Sequence, residues 1–257
     1  FTFDMTFAYT VRKLLARFVL WPYLRRFVCA VVPSDASVRY ARYLGFGRAR
    51  VTRGLIGLDT VLFGHACAAR KQAAVYPRKF LFVGRYAREK RVDRLLEAYR
   101  WYRAKVAQPW GLTCCGTGPD SALLEHVEGV KDIGFVQPSE MPDVYARHGA
   151  FVIASEYDPW PLVIAEAVAS GLPVICTDAC GSHVDFVRDG DNGRVCDTND
   201  VQSLVEAMVW IHERETELAN MGARGRTLVA PFSKEQWANR WCEMLKRIST
   251  RGHGDTE

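Results

Sequence analysis

The sequence predicts an α/β protein built on a doubly wound parallel sheet, joined to part of a second α/β domain. Three observations carry this reading. From residue 79 onward, short runs rich in Val, Ile, Phe and Cys alternate with stretches of helical periodicity, the pattern of a parallel sheet wrapped by helices. Six such units within about 150 residues are enough for one complete sheet of this kind. The first 76 residues hold only a strand-helix-strand fragment, too little to close a sheet alone.

In order along the chain, Phe7, Val11, Leu14, Leu15 and Phe18 mark an amphipathic helix, residues 27–32 a buried strand, Ser34 a helix cap and residues 50–54 a second short strand. Residues 64–77 read as a linker. Strands then follow at 79–84, 111–115, 130–135, 150–155, 173–177 and 193–197. Between the first two of these, Val92, Leu95, Leu96, Tyr99 and Val106 recur at helical spacing. Further helices are expected over 200–213 and 215–229, and Ser233 caps a last one running through Arg247.

Composition narrows the function classes. At 257 residues, 49% hydrophobic and 25% charged, the chain has the makings of a packed core, and disordered, collagen-like and coiled-coil readings drop out. Its longest apolar stretches, residues 18–24 and 27–33, are far shorter than the roughly 20 residues that cross a bilayer. With no tripartite leader in view, the expectation is a cytoplasmic protein without a signal peptide. Eight scattered cysteines read as reduced core thiols; Cys176, Cys180 and His183 lack the second knuckle of a zinc site, so no metal is expected.

The net charge of +5 is unevenly spread. Between residues 11 and 53, Arg12, Lys13, Arg17, Arg25, Arg26, Arg39, Arg42, Arg48, Arg50 and Arg53 face a single acid, Asp35. Either a solvated basic face or an anionic partner accounts for this, and residues 6–26, basic on one side and apolar on the other, suit peripheral contact with an anionic membrane or packing on their own domain. Nucleic acid is not expected, because no aromatic-basic recognition motif accompanies the charge.

Residues with chemistry cluster after the strands. Gly84 and Arg85 end the strand at 79–84 and Lys90 precedes the next helix, so two cations sit at a carboxyl edge beside helix N–H groups, either a setting for a diphosphate or surface charge among the other ions of 85–94. Gly116-Thr117-Gly118-Pro119 lets backbone approach a ligand. Asp158 and Glu166 are eight residues apart, about 12 Å along a helix. That exceeds the roughly 5–9.5 Å at which two carboxylates flank one glycosidic bond. It suits the two ends of an elongated ligand, or a capping Asp158 and a solvent-facing Glu166.

These motifs together resemble those of family 4 (group 1) retaining glycosyltransferases with the GT-B fold. The resemblance is carried by Val83-Gly84-Arg85 with Lys90, by residues 116–119, by 158–174 and by Asp189-Gly190-Asp191-Asn192-Gly193, over roughly residues 79–229. It implies a Rossmann-like donor-binding domain at 77–230, a remnant of the N-terminal, acceptor-side domain with linker at 1–76, and a closing helix at 231–257 that returns to that domain. It further implies that Arg85 and Lys90 hold the pyrophosphate of a UDP- or GDP-sugar, Glu166 the ribose hydroxyls and Asp158 the transferred sugar. Backbone N–H groups at Leu162 and Val163 would meet the phosphates, Gly84 and Gly118 would belong to the donor-binding site, and Val136 would line the base pocket. No cofactor or metal is implied, and the acceptor would be a saccharide or lipid-linked sugar of cell-surface polysaccharide or glycolipid synthesis.

The sequence departs from the family pattern at Asp158, where glutamate is usual, and at Pro161, where glycine is common. The family's glycine-rich loop, acceptor pocket and active-site histidine would precede Phe1. Two other readings remain: a non-catalytic donor-binding partner subunit, and a nucleotide-sugar epimerase of the same architecture. A dinucleotide oxidoreductase is disfavoured, since the turn at 84–87 lacks Gly-x-Gly-x-x-Gly.

Overall fold

The structure, a computed structural model, describes residues 11–72 and 76–251. It divides into two compact units, 1–58 with 231–257, and 59–230.

In the first unit, α1 (Val11–Leu24) leads to β1 (Ala30–Val32), α2 (Asp35–Tyr43) and β2 (Val51–Arg53). The two strands pair in parallel, and Leu24, Ala30, Val32, Tyr40, Ala41, Leu44 and Phe46 form the core. Ser34 caps α2 by accepting from the Ser37 N–H at 3.3 Å, as its position predicts. The strand expected over 27–32 begins only at Ala30. Arg50 reaches back to take the carbonyls of Phe27 and Val28, which are therefore not free to pair in a sheet. Phe7 and the other residues before Val11 lie outside the described residues. Leu15 and Phe18, expected on a packed face, are 55% and 74% exposed, and Leu24 is the one buried residue among the described side chains of α1.

The second unit opens with α3 (Thr60–Gln72), where a linker is expected. Asp59 starts this helix by accepting from the Leu62 N–H at 3.0 Å, and Gly64 is carried inside it. The helix belongs to the second unit because Arg70, only 5% exposed, spends its guanidinium there. Nε donates to His148 O (2.9 Å), Nη1 to Ser170 O (2.9 Å) and Gly171 O (3.3 Å), and Nη2 to Tyr145 O (2.7 Å). Carbonyls at the ends of helices carry partial negative charge, so this buried cation is compensated without an acid. The boundary expected at 76/77 thus falls instead at 58/59.

There follow β3 (Lys79–Val83), α4 (Val92–Lys105), β4 (Gly111–Cys115), β5 (Val130–Asp132), α5 (Met141–Ala146), β6 (Ala150–Ile153), α6 (Leu162–Ala169), β7 (Val174–Thr177), α7 (His183–Phe186), β8 (Gly193–Cys196), α8 (Val201–Glu213) and α9 (Leu218–Val229). The six strands form one parallel sheet in the order β5-β4-β3-β6-β7-β8. Phe80, Leu81, Phe82, Phe151, Val152, Ile153, Val174 and Ile175 are all fully buried, as central strands covered on both faces require. The strand expected over 130–135 stops at Asp132, whose carboxylate takes the Gly134 N–H at 2.9 Å. Phe135 is left 65% exposed. Gly171, at φ +71°, stops α6 at the residue where only glycine is unstrained.

The last helix, α10 (Lys234–Arg251), belongs to the first unit. Ser233 caps it by accepting from the Gln236 N–H at 3.3 Å, and Trp237 Nε1 donates to Leu55 O at 3.0 Å. The cysteines are all free thiols. Six are buried, but Cys242 is exposed and Cys29 half-buried, so not every thiol lies in the core. The tail beyond Arg251 lies outside the described residues.

Candidate active site

Strand order reverses between β3 and β6, so the connections leaving their carboxyl ends run to opposite sides and open a crevice. Three loops close around that crevice. Gly84 N–H donates to Cys115 O and Tyr86 N–H to Thr117 O, both at 3.0 Å, joining the loops after β3 and β4. Tyr86 OH donates to Asp132 Oδ1 at 2.7 Å and ties in the end of β5. At Gly118 a Cβ would stand 2.1 Å from the Tyr86 carbonyl oxygen, so the approach of these loops demands glycine.

The result is a cavity of about 560 Å³, a volume suited to a nucleotide-sized ligand. Of the residues expected at the site, Gly84, Arg85, Gly118, Val136 and Glu166 share it. Arg85 is exposed, and among the described residues its guanidinium has no hydrogen-bond or ion-pair partner. Cys115 lies behind, its thiol pushed up chiefly by burial.

Glu166 faces this cavity from α6 rather than solvent. Tyr145 OH donates to its Oε2 at 2.9 Å. Burial raises the Glu166 carboxyl above the ordinary glutamate value, and the phenol's hydrogen bond opposes that shift by stabilising the charged form.

Lys90 and Asp158 are placed differently. Neither lines the cavity; the ammonium of Lys90 is ion-paired with Asp158 Oδ2, with side chains 19% and 11% exposed. The same two loops are joined again by Glu156 N–H to Glu89 O at 2.8 Å and by Arg91 to Glu156 at 3.2 Å. Asp158 lies four residues before α6, and its backbone pairs with Ala179 and Gly181 instead. The helical rise assumed between Asp158 and Glu166 therefore does not apply, nor does a capping role for Asp158. Pro161 is the N-cap of α6, which puts the N–H groups of Leu162 and Val163 in the first turn, where no helical carbonyl stands four residues back.

Sequence reasoning missed the hydrophobic wall. Phe63 from α3, Phe135, Pro138 and Met141 line the cavity, and Tyr145 fixes its carboxylate. The only available signal was Phe135 and Pro138 flanking a turn; a tyrosine at helical spacing reads as core.

Fold and rim together define a Rossmann-like α/β domain with a cation, glycine turns and a carboxylate around one crevice at a switch point. Residues 68–228, well over half the chain, match the family described as glycosyl transferases group 1, and the chain belongs to that family. It is 28% identical over 163 residues to O-antigen chain mannosyltransferase B of Escherichia coli, and 27% identical over 175 residues to the alpha-monoglucosyldiacylglycerol synthase of Acholeplasma laidlawii. These matches cover 60% and 64% of this chain, and 42% of each relative. The chain spans about half or less of the length of the first curated relatives it matches. In fold it is similar to Anabaena Alr3699/HepE in complex with UDP, with a TM-score of 0.75 at 17% identity over 97% of this chain and 71% of that one.

Proposed function

We propose that the chain supplies the donor-binding half of a retaining, family 4 type glycosyltransferase, which moves a sugar from a UDP- or GDP-sugar to a saccharide or lipid-linked acceptor in cell-surface polysaccharide or glycolipid synthesis. The observation that carries this reading is the cavity at the switch point, walled by Arg85, which has no partner among the described residues, by Gly84 and Gly118 and by the Glu166 carboxylate. When the bond between sugar C1 and phosphate oxygen breaks, negative charge grows on the departing nucleoside diphosphate. The Arg85 guanidinium and the first-turn N–H groups of α6 stabilise that charge without a metal. Glu166 accepts from the ribose hydroxyls, and Phe135 and Val136 flank the base. Lys90 reaches the diphosphate only by parting from Asp158, and Asp158 is then released toward the transferred sugar. The relatives' printed activities, on mannose in an O-antigen chain and on a diacylglycerol glycolipid, fit this acceptor class.

Calorimetric titration with UDP- and GDP-sugars tests the reading. Saturable binding that weakens at least tenfold in both Arg85→Ala and Glu166→Ala is expected; parental affinity in both variants would refute it.

A cytoplasmic, peripheral place on the membrane's inner face, reached through residues 6–26, is supported by Phe18, Val19 and Trp21, which stand 74%, 73% and 46% exposed among the exposed Arg17, Arg25 and Arg26. No described helix is long and apolar enough to cross a membrane. Co-sedimentation with vesicles should rise with anionic lipid and fall with salt, and indifference to lipid charge would end this part of the proposal.

A further inference from the structure

We propose that Tyr145 is a positioning residue, whose buried phenol, braced from α3, fixes Oε2 of Glu166 so that the other carboxylate oxygen is held for the nucleotide's ribose. The inference rests on the ribose role assigned to Glu166 above. Tyr145 has no solvent exposure, and its hydroxyl donates to Glu166 Oε2 at 2.9 Å. Among the described residues Oε1 of Glu166 has no hydrogen-bond partner, while the residue lines the cavity. A free glutamate samples several rotamers; one whose second oxygen is already bonded presents its first in a single direction.

The phenol is itself held from two sides. Phe63 of α3 packs edge-on against the Tyr145 ring, with centroids 5.7 Å apart, and Phe151 of β6 lies at 6.4 Å. Arg70, about two turns further along the same face of α3, bonds the Tyr145 carbonyl at 2.7 Å and also bonds Ser170 and Gly171 at the end of α6. One guanidinium therefore sets α5, which carries the phenol, against α6, which carries the carboxylate. Because the bond also favours the charged form of Glu166, its removal lets the carboxyl take up a proton at higher pH.

The test compares the full chain's affinity for UDP or GDP, whichever binds more tightly, with its affinity for the 2′-deoxy counterpart and for inorganic pyrophosphate. The parent should prefer the ribose form by about tenfold or more. In Glu166→Ala that preference should vanish; if it persists, the ribose role of Glu166 is wrong and the premise fails with it. Tyr145→Phe, which removes one oxygen and keeps the ring, should reduce the preference about threefold to tenfold while leaving pyrophosphate affinity parental. The acid limit of nucleotide binding should also move to higher pH. Arg70→Lys leaves phenol and carboxylate chemically intact but shortens the brace, and should lose part of the same preference even if Tyr145→Phe folds poorly. The proposal is overturned if Glu166→Ala abolishes the preference while both other variants retain it. A fall in pyrophosphate affinity as large as the fall in preference would likewise overturn it, since that is what a general loss of structure produces.

Discussion

At the scale of single residues, what decides the site is which charges are left without internal partners. Arg85 is exposed and unpartnered among the described residues, so Arg85→Ala should leave the melting temperature within about a degree while weakening pyrophosphate binding tenfold or more, with a reduced salt dependence. Glu166 behaves in the opposite sense. Its raised carboxyl value means the ionised form destabilises the ligand-free fold at neutral pH, a cost relieved as pH falls through the raised value towards the ordinary one. Glu166→Gln should therefore melt at the parental temperature or above at pH 7 while nucleotide affinity drops; a clear loss of stability would contradict this. Arg85 and Gly118 were legible in the sequence because a cation and a glycine follow strand ends directly, and Glu166, inside α6, only through the motif spacing that carries the family resemblance. The Lys90–Asp158 pair was not, since its partners lie 68 residues apart and charge alone names no partner. Breaking that largely buried pair by Asp158→Ala should cost about 1–3 kcal/mol in denaturant unfolding.

At the scale of elements, α3 shows where local reading fails. Its glycine, its modest amphipathicity and its position between two units all resemble a connector, yet Asp59 caps it and Arg70 staples it to the ends of α5 and α6. A guanidinium serving four carbonyls has no counterpart in spacing or periodicity. Arg70→Met should orphan those carbonyls and lower stability by about 3 kcal/mol or more, measured by urea unfolding. The strands were legible because their Val, Ile and Phe runs are bounded by turn residues, and their ends were misread by three residues where a side chain, Asp132 or Arg50, captures the backbone, and by one or two elsewhere. The turn after α5 adds a pH signature. His148 is buried with its value lowered to about 4, chiefly by burial, so it is neutral in the fold and must become charged on unfolding in acid. The stability this gives is complete above the ordinary histidine value and disappears as pH falls from there to about 4. His148→Phe should flatten that part of the stability curve, worth about 3 kcal/mol in the parent.

At the scale of the whole molecule, the two units differ in what holds them. The unit over 59–230 rests on six paired strands with a fully buried centre, whereas the described sheet of the other unit has two strands of three residues each. Amide exchange should be slowest in β3, β4 and β6 and faster by orders of magnitude in β1 and β2, and added UDP should protect the loops after β3, β4 and β5 selectively. Uniform exchange across both units would contradict this picture. The strand order carries a last consequence. β3 and β6 lie side by side in the sheet although β4 and β5 come between them along the chain. During synthesis, then, Arg85 emerges well before Glu166, and on the donor-binding role proposed above a nascent chain could not close its site until the ribosome has delivered α6.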